Sequence, residues 1–143
     1  MKARKVKGLK PGEPLRPNAA RIVAVRLEEL RALAAEAVEP GAETAQHDMR
    51  IAAKRLRYAL EIVEPCFGPP ATEGRLAAKE LQSVLGEIHD CDVMLPKVEG
   101  IGSLETLLRT RRELLFARFK ELWGQEEDAF ERLARESLQR LAV

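Results

Sequence analysis

Hydrophobic positions along this chain recur every three to four residues. No stretch shows the two-residue alternation of a half-buried strand. Proline and glycine divide the pattern into segments. Residues 1–17 carry no amphipathic repeat and read as an extended or flexible arm. The first helix is predicted to begin at an Asn18 cap and to end before Pro40-Gly41. A second runs from about Thr44 to Val63, ahead of Pro65, and a third from near Thr72 to Leu95, stopped by Pro96. A fourth spans about Leu104 to Trp123, where Gly124 breaks or bends the chain before a last amphipathic segment, Gln125 to Leu141. Four or five antiparallel helices joined by short loops make residues 18–143 one all-α helical bundle.

The helical wheel sorts the side chains further. On the second helix Met49, Leu56, Leu60 and Val63 form the apolar arc, and His47, Arg50, Lys54, Arg57 and Glu61 form a stripe opposite. From His47 to Arg57 that stripe covers ~15 Å, the reach of several linked phosphates. It is almost all of one sign and, apart from Arg57 and Glu61, lacks the i,i+4 acid–base pairing of an ordinary solvated face. On the third helix Ala77, Leu81, Val84, Ile88 and Leu95 face inward, while Arg75, Lys79, Gln82, Gly86 and His89 line the other side. A mid-helix glycine costs about 1 kcal/mol against alanine, so Gly86 marks the close approach of either a helix or a ligand. Arg26 falls inside the predicted apolar stripe of the first helix. Arg111 and Arg118 fall inside that of the fourth, with Leu104, Leu107, Leu108, Leu114, Leu115 and Leu122. An arginine so placed can snorkel or pair with an acid such as Asp90 or Asp92. Three inward guanidiniums are costly unless an anion meets them, and their planar forks suit phosphate, so a basic groove between helices is expected.

Composition narrows the classes. Few aromatics, much Ala, Leu, Arg and Glu, and 33% charged residues suit helices, and no apolar run of 18 residues spans a membrane. Two cysteines without framework or zinc spacing read as reduced thiols of a cytoplasmic protein. A net charge of only +1 argues against indiscriminate coating of DNA. The charge is nevertheless sorted by region. Residues 1–16 hold six basic residues and one acid, whereas 121–143 hold six acids and three basic residues.

Chemistry remains sparse. His47, His89-Asp90 and Asp128 formally satisfy the pattern of a helical metal-dependent phosphohydrolase. A divalent cation there would share its surroundings with Arg50, Lys54 or Lys79, where a metal site wants negative ligands. No phosphate-cradling glycine loop or activated nucleophile is present, and no base-reading helix with stacking aromatics supports nucleic acid. The residues favour binding without catalysis, with metal-dependent hydrolysis or nucleic-acid backbone binding as alternatives.

The stretches "PLRPNAARIVAVRLEEL", "HDMRIAAKRLRYALEI" and "LQSVLGEIHDCDVML" resemble the conserved-histidine α-helical domain, or CHAD, family over most of residues 14–95. The resemblance implies a helical bundle that binds inorganic polyphosphate, needs no cofactor, and can associate with polyphosphate granules. By position His47 is the namesake histidine, with Arg50, Lys54, Arg55 and Arg57 as basic companions. Lys79 and Arg26, Arg111 and Arg118 of the outer helices complete the implied surface, with Arg75, Gln82, His89 and Arg112 as secondary candidates. The family often has arginine where this chain has His89, which makes that charge pH-dependent. Many members carry two bundles in tandem about an approximate two-fold. This chain has one set, and a homodimer would restore the pair.

Overall fold

The computed structural model describes residues 1–12 and 15–141. Glu13, Pro14, Ala142 and Val143, placed above in the arm and at the bundle's end, lie outside the described residues. Four helices follow in order: α1 (Leu15–Ala37), α2 (Glu43–Phe67), α3 (Pro69–Met94) and α4 (Gly102–Leu141), with a 3-10 turn at Leu95–Val98. Each packs on the next, and α4 returns against α1, so the bundle closes on itself as the short connections require. The expected all-α bundle is what the chain forms.

Its core is one cluster running from Ala19 and Val23 through Met49, Leu56 and Leu60 to Leu81, Ile88, Phe119 and Phe130. The predicted arcs of the second and third helices supply it: Met49, Leu56, Leu60, Val63, Ala77, Leu81, Val84 and Ile88 are all buried. Small residues bring the helices close. Gly74 of α3 sits so near its neighbours that a Cβ there would lie 2.8 Å from Leu133 Cδ2 of α4 and 3.3 Å from Leu60 Cδ1 of α2.

Several boundaries differ from the sequence reading. α1 begins at Leu15, and Asn18 is not its cap. The Asn18 side-chain amide instead accepts from Lys10 N (2.9 Å) and donates to Lys10 O (2.8 Å), tying the arm to the helix. α2 runs through Pro65 to Phe67, because a proline in the last turn removes one donor without stopping the helix. Gly68, at φ 75, then reverses the chain. α3 starts at Pro69-Pro70 rather than Thr72, since first-turn amides have no partner to lose.

Gly124 does not break the fourth helix. α4 is continuous over 40 residues, held through the glycine by Leu122, Ala129 and Phe130 in the core. At ~60 Å it outruns α3, at ~39 Å, by several turns. Arg112 of α4 stands opposite Asp92, near the end of α3, so the first turns of α4 project past that end. The predicted inward stripe of the fourth helix holds only in part: Leu122 is buried and Leu115 packs against the core, but the flank with Leu104, Leu107, Arg111, Leu114 and Arg118 faces outward. Leu104, Leu107 and Leu114 are 43%, 62% and 69% exposed, and Arg111 and Arg118 are exposed beside them.

Candidate functional site

α2 and α3 lie antiparallel, and their outer faces meet in a cleft of about 350 Å³ lined by Arg50, Arg57, Lys79, Gln82, Ser83, Gly86, Glu87 and Asp90. Gly86 forms its floor. A Cβ on Gly86 would stand 3.4 Å from Arg50 Nε, an ordinary contact, so the Arg50 side chain lies directly against α3 here. Of the two readings of this glycine, a side chain of the site, not a helix backbone, takes the space.

His47, one turn before Arg50 on α2, and His89, next to Asp90 on α3, stand together beside the cleft. Their rings stack at 4.1 Å between centroids with planes 24° apart. Burial holds the His47 pKa below its ordinary 6.5, the adjacent His89 and Arg50 push it the same way, and Asp48 opposes them. The imidazole is therefore mainly neutral near pH 7.

What distinguishes this cleft is the number of buried polar atoms without partners. Arg50 Nε, Arg57 Nε and His47 Nδ1 are buried and make no hydrogen bond, and Gln82 Oε1 is equally unpartnered. Buried polar groups are ordinarily satisfied, so a cluster of orphans points to a missing partner. The Gln82 amide can present either end, since oxygen and nitrogen exchange by a flip. Arg57 is steadied by the Tyr58 ring, 4.8 Å from its guanidinium carbon, and by Glu61 at 3.7 Å. Lys54 and Lys79 are exposed. Glu87 and Asp90 lie along the α3 side, so the positive potential is strongest towards α2.

The other sequence-predicted site residues are placed elsewhere. Arg26 and Arg55 converge on Glu29, whose side chain is fully buried. Arg75 bonds Glu64 at 2.7 Å, and that carboxyl also accepts from Thr72 at 2.6 Å. These two hydrogen bonds hold it below the usual carboxylate range. Arg112 is the inward arginine of α4. It donates to Asp92 (3.2 Å), to Gln46 Oε1 (2.6 Å) and to the Pro40 carbonyl (3.1 Å), and so joins α2, α3, α4 and the α1–α2 loop. Arg111 approaches Glu87 at 3.7 Å, and Arg118 is exposed on the same flank of α4. The structure thus brings together His47, His89, Arg50, Arg57, Lys79 and Gln82, with Lys54 beside them on the exposed face of α2.

Sequence reading missed Ser83, which lines the cleft, and Glu29, which organises Arg26 and Arg55. Glu29 had a signal. It stands three residues after an arginine already assigned to a buried stripe, the spacing of a helical ion pair.

Of the residues in the phosphohydrolase pattern, His47 and His89 stack, while Asp128 belongs to a separate depression beside Arg31 and Trp123. Among the described residues no group of three or more His, Cys, Asp or Glu side chains is placed to hold a metal ion. Nor is any described helix long and apolar enough to cross a membrane.

A family model described as the CHAD domain matches residues 2–99, which contain α1, α2, α3 and the whole cleft. No curated protein and no solved structure matches the chain. The family match covers well over half of the sequence and includes both helices that bear the stacked histidines and the unpartnered arginines, so the chain belongs to the CHAD-domain family.

Proposed function

We propose that this protein binds inorganic polyphosphate without turning it over, through the face of α2 and the cleft between α2 and α3. The observation that carries the reading is the cluster of unpartnered buried nitrogens at Arg50, Arg57 and His47, beside the exposed Lys54 and Lys79. Guanidinium forks match phosphate oxygens, and a row of cations binds a polyanion by ion pairing and counterion release. A single orthophosphate gains little from such a row, so affinity rises with chain length and falls steeply with salt. Association with polyphosphate granules in the cytoplasm follows from the same interaction. Membership of a family linked to polyphosphate supports the ligand class.

A homodimer is the second part of the reading. Leu107, Arg111, Leu114 and Arg118 recur at three- and four-residue steps along one exposed flank of α4, and Glu80 and Glu87 of α3 lie seven residues apart beside it. A patch with an apolar centre and both signs of charge is self-complementary, as a two-fold interface requires.

The test of the ligand is titration calorimetry with long-chain polyphosphate at low and moderate salt, alongside orthophosphate, a DNA duplex, and Mn²⁺ with assay for released phosphate. Tight, salt-sensitive binding of polyphosphate without release is expected, and R50E/K54E is expected to lose it with its helical circular dichroism unchanged. A folded R50E/K54E protein that keeps wild-type affinity would remove α2 from the site. Metal-dependent phosphate release would replace binding by hydrolysis, and preference for DNA would replace the ligand.

A further inference from the structure

The arm is docked on the bundle by a buried acid. Glu29 of α1 has a fully buried side chain. It accepts from the Arg26 guanidinium and from Arg4 N (3.1 Å), and Arg55 NH1 stands at ion-pair distance (3.5 Å) without a hydrogen bond to it. Both arginines also bond the arm's backbone: Arg26 NH1 donates to Arg4 O (3.1 Å) and Arg55 NH2 to Met1 O (2.7 Å). A buried carboxylate is stable only when its charge is met, so this arrangement requires the two arginines where they stand. Arg26 NH1 and Arg55 NH2 are thus committed to Glu29 and to the arm's backbone.

The docked arm has a defined course. Arg4 lies at Glu29 and Lys10 at Asn18, so that stretch follows α1 for ~16 Å along the helix axis. Its beginning crosses to α2, where Met1 meets Arg55 and Asp48. His47 precedes Asp48, and Lys54 precedes Arg55. The exposed row of α2 therefore has the Arg50–Arg57 cleft along one flank and the start of the arm along the other. Lys2, Lys5 and Lys7 are all exposed on that arm. The acids paired with it or beside it are Asp48, Glu28 and Glu29, the last ion-paired with Arg26 and Arg55.

We propose that the arm is a second anion-binding bank, in which Lys2, Lys5 and Lys7 engage polyphosphate chains too long for the cleft. Arg26, Arg55 and Glu29 are positioning residues for it. The inference rests on the polyphosphate reading and adds to it a selection for chain length. Short chains fill the cleft between α2 and α3. Long chains continue over His47 and Lys54 onto the arm, and each further cation releases further counterions. Fixing the arm beforehand lowers the ordering cost that a free basic tail meets on binding.

The experiment compares the unsubstituted protein with K2S/K5S/K7S, by titration with tripolyphosphate and with long-chain polyphosphate over a range of salt. The substituted side chains are exposed, so the fold is retained. Tripolyphosphate affinity is expected to stay unchanged, while long-chain affinity falls about tenfold and the log–log salt slope by roughly 2. Equal loss for both ligands, or no loss for either, overturns the proposal. Wild-type protein that binds neither ligand removes the polyphosphate reading itself, a result distinct from wild-type binding that the triple variant retains. E29Q supplies a second readout with every lysine in place. Faster proteolysis within residues 2–10 together with weaker long-chain binding is expected. Faster proteolysis with undiminished long-chain affinity would show that a docked arm is unnecessary, and would overturn the proposal as well.

Discussion

His47 couples the state of one proton to both stability and binding. Burial, the stacked His89 ring and Arg50 hold its pKa in the folded chain below the ordinary 6.5. The unfolded chain then takes up a proton more readily than the folded one. The resulting stabilisation is complete above pH 6.5 and is lost as pH falls through that value towards the folded pKa. A bound polyanion reverses the balance, since negative charge beside the imidazole favours its protonated form. Mild acidification is therefore expected to lower the denaturant midpoint of the free protein while tightening its hold on polyphosphate. The chain has two histidines, so an NMR titration of their ring protons can follow each. Polyphosphate is expected to move the His47 titration to higher pH, and a titration that stays where it was would place the ligand away from α2.

At the scale of elements, two glycines of α3 respond to one substitution with opposite signs. Alanine is favoured over glycine in a helix interior by about 1 kcal/mol. At Gly86 the new Cβ meets only the Arg50 side chain, at ordinary contact distances of 3.4 Å from Nε and 3.9 Å from Cδ. G86A is expected to raise the melting temperature and to weaken polyphosphate binding. At Gly74 the Cβ would lie 2.8 Å from Leu133 Cδ2 and 3.3 Å from Leu60 Cδ1, and both leucines are fully buried. Overpacking of about 1–3 kcal/mol then outweighs the propensity gain, and G74A is expected to be destabilised by ~1 kcal/mol. Thermal melts of the two variants check both signs, and equal shifts would mean that local propensity alone governs α3.

The inward faces of α2 and α3 were legible in the sequence because periodicity reports them directly. Met49, Leu56, Leu60, Leu81 and Ile88 lie in the core as the repeat requires. Helix ends were less legible because the punctuation is permissive. Proline fits the first turn of α3 and the last turn of α2, and Gly124 is carried through α4 by packing on either side.

The whole molecule decides what periodicity leaves open, namely which neighbour a charged side chain meets. Arg55 and Arg57 are two residues apart, but ~200° of rotation puts the first on Glu29 under the arm and the second in the cleft. Arg111 and Arg112 divide in the same way, one exposed near Glu87 and the other joining Asp92, Gln46 and Pro40. For α4 the helix was foreseen but not its projection past α3, since wheel positions contain no information about where a neighbouring helix stops. The outer flank of α4 leaves Leu107, on the projecting turns, and Leu114, beside α3, at 62% and 69% exposure, seven residues apart. Knob-like side chains at this interval pack against a like helix, and a stable interface needs on the order of 1,000 Å² in total. The flank of α4 and the adjoining edge of α3 offer a continuous face for it. Sedimentation of the wild-type protein is expected to give a concentration-dependent dimer, and L107E/L114E a monomer with unchanged helix content. The same substitutions leave the α2–α3 cleft untouched, so polyphosphate binding per chain should survive while the gain from two linked sites disappears. Wild-type protein that stays monomeric at high concentration would show that the exposed leucines serve some contact other than a second copy of this chain.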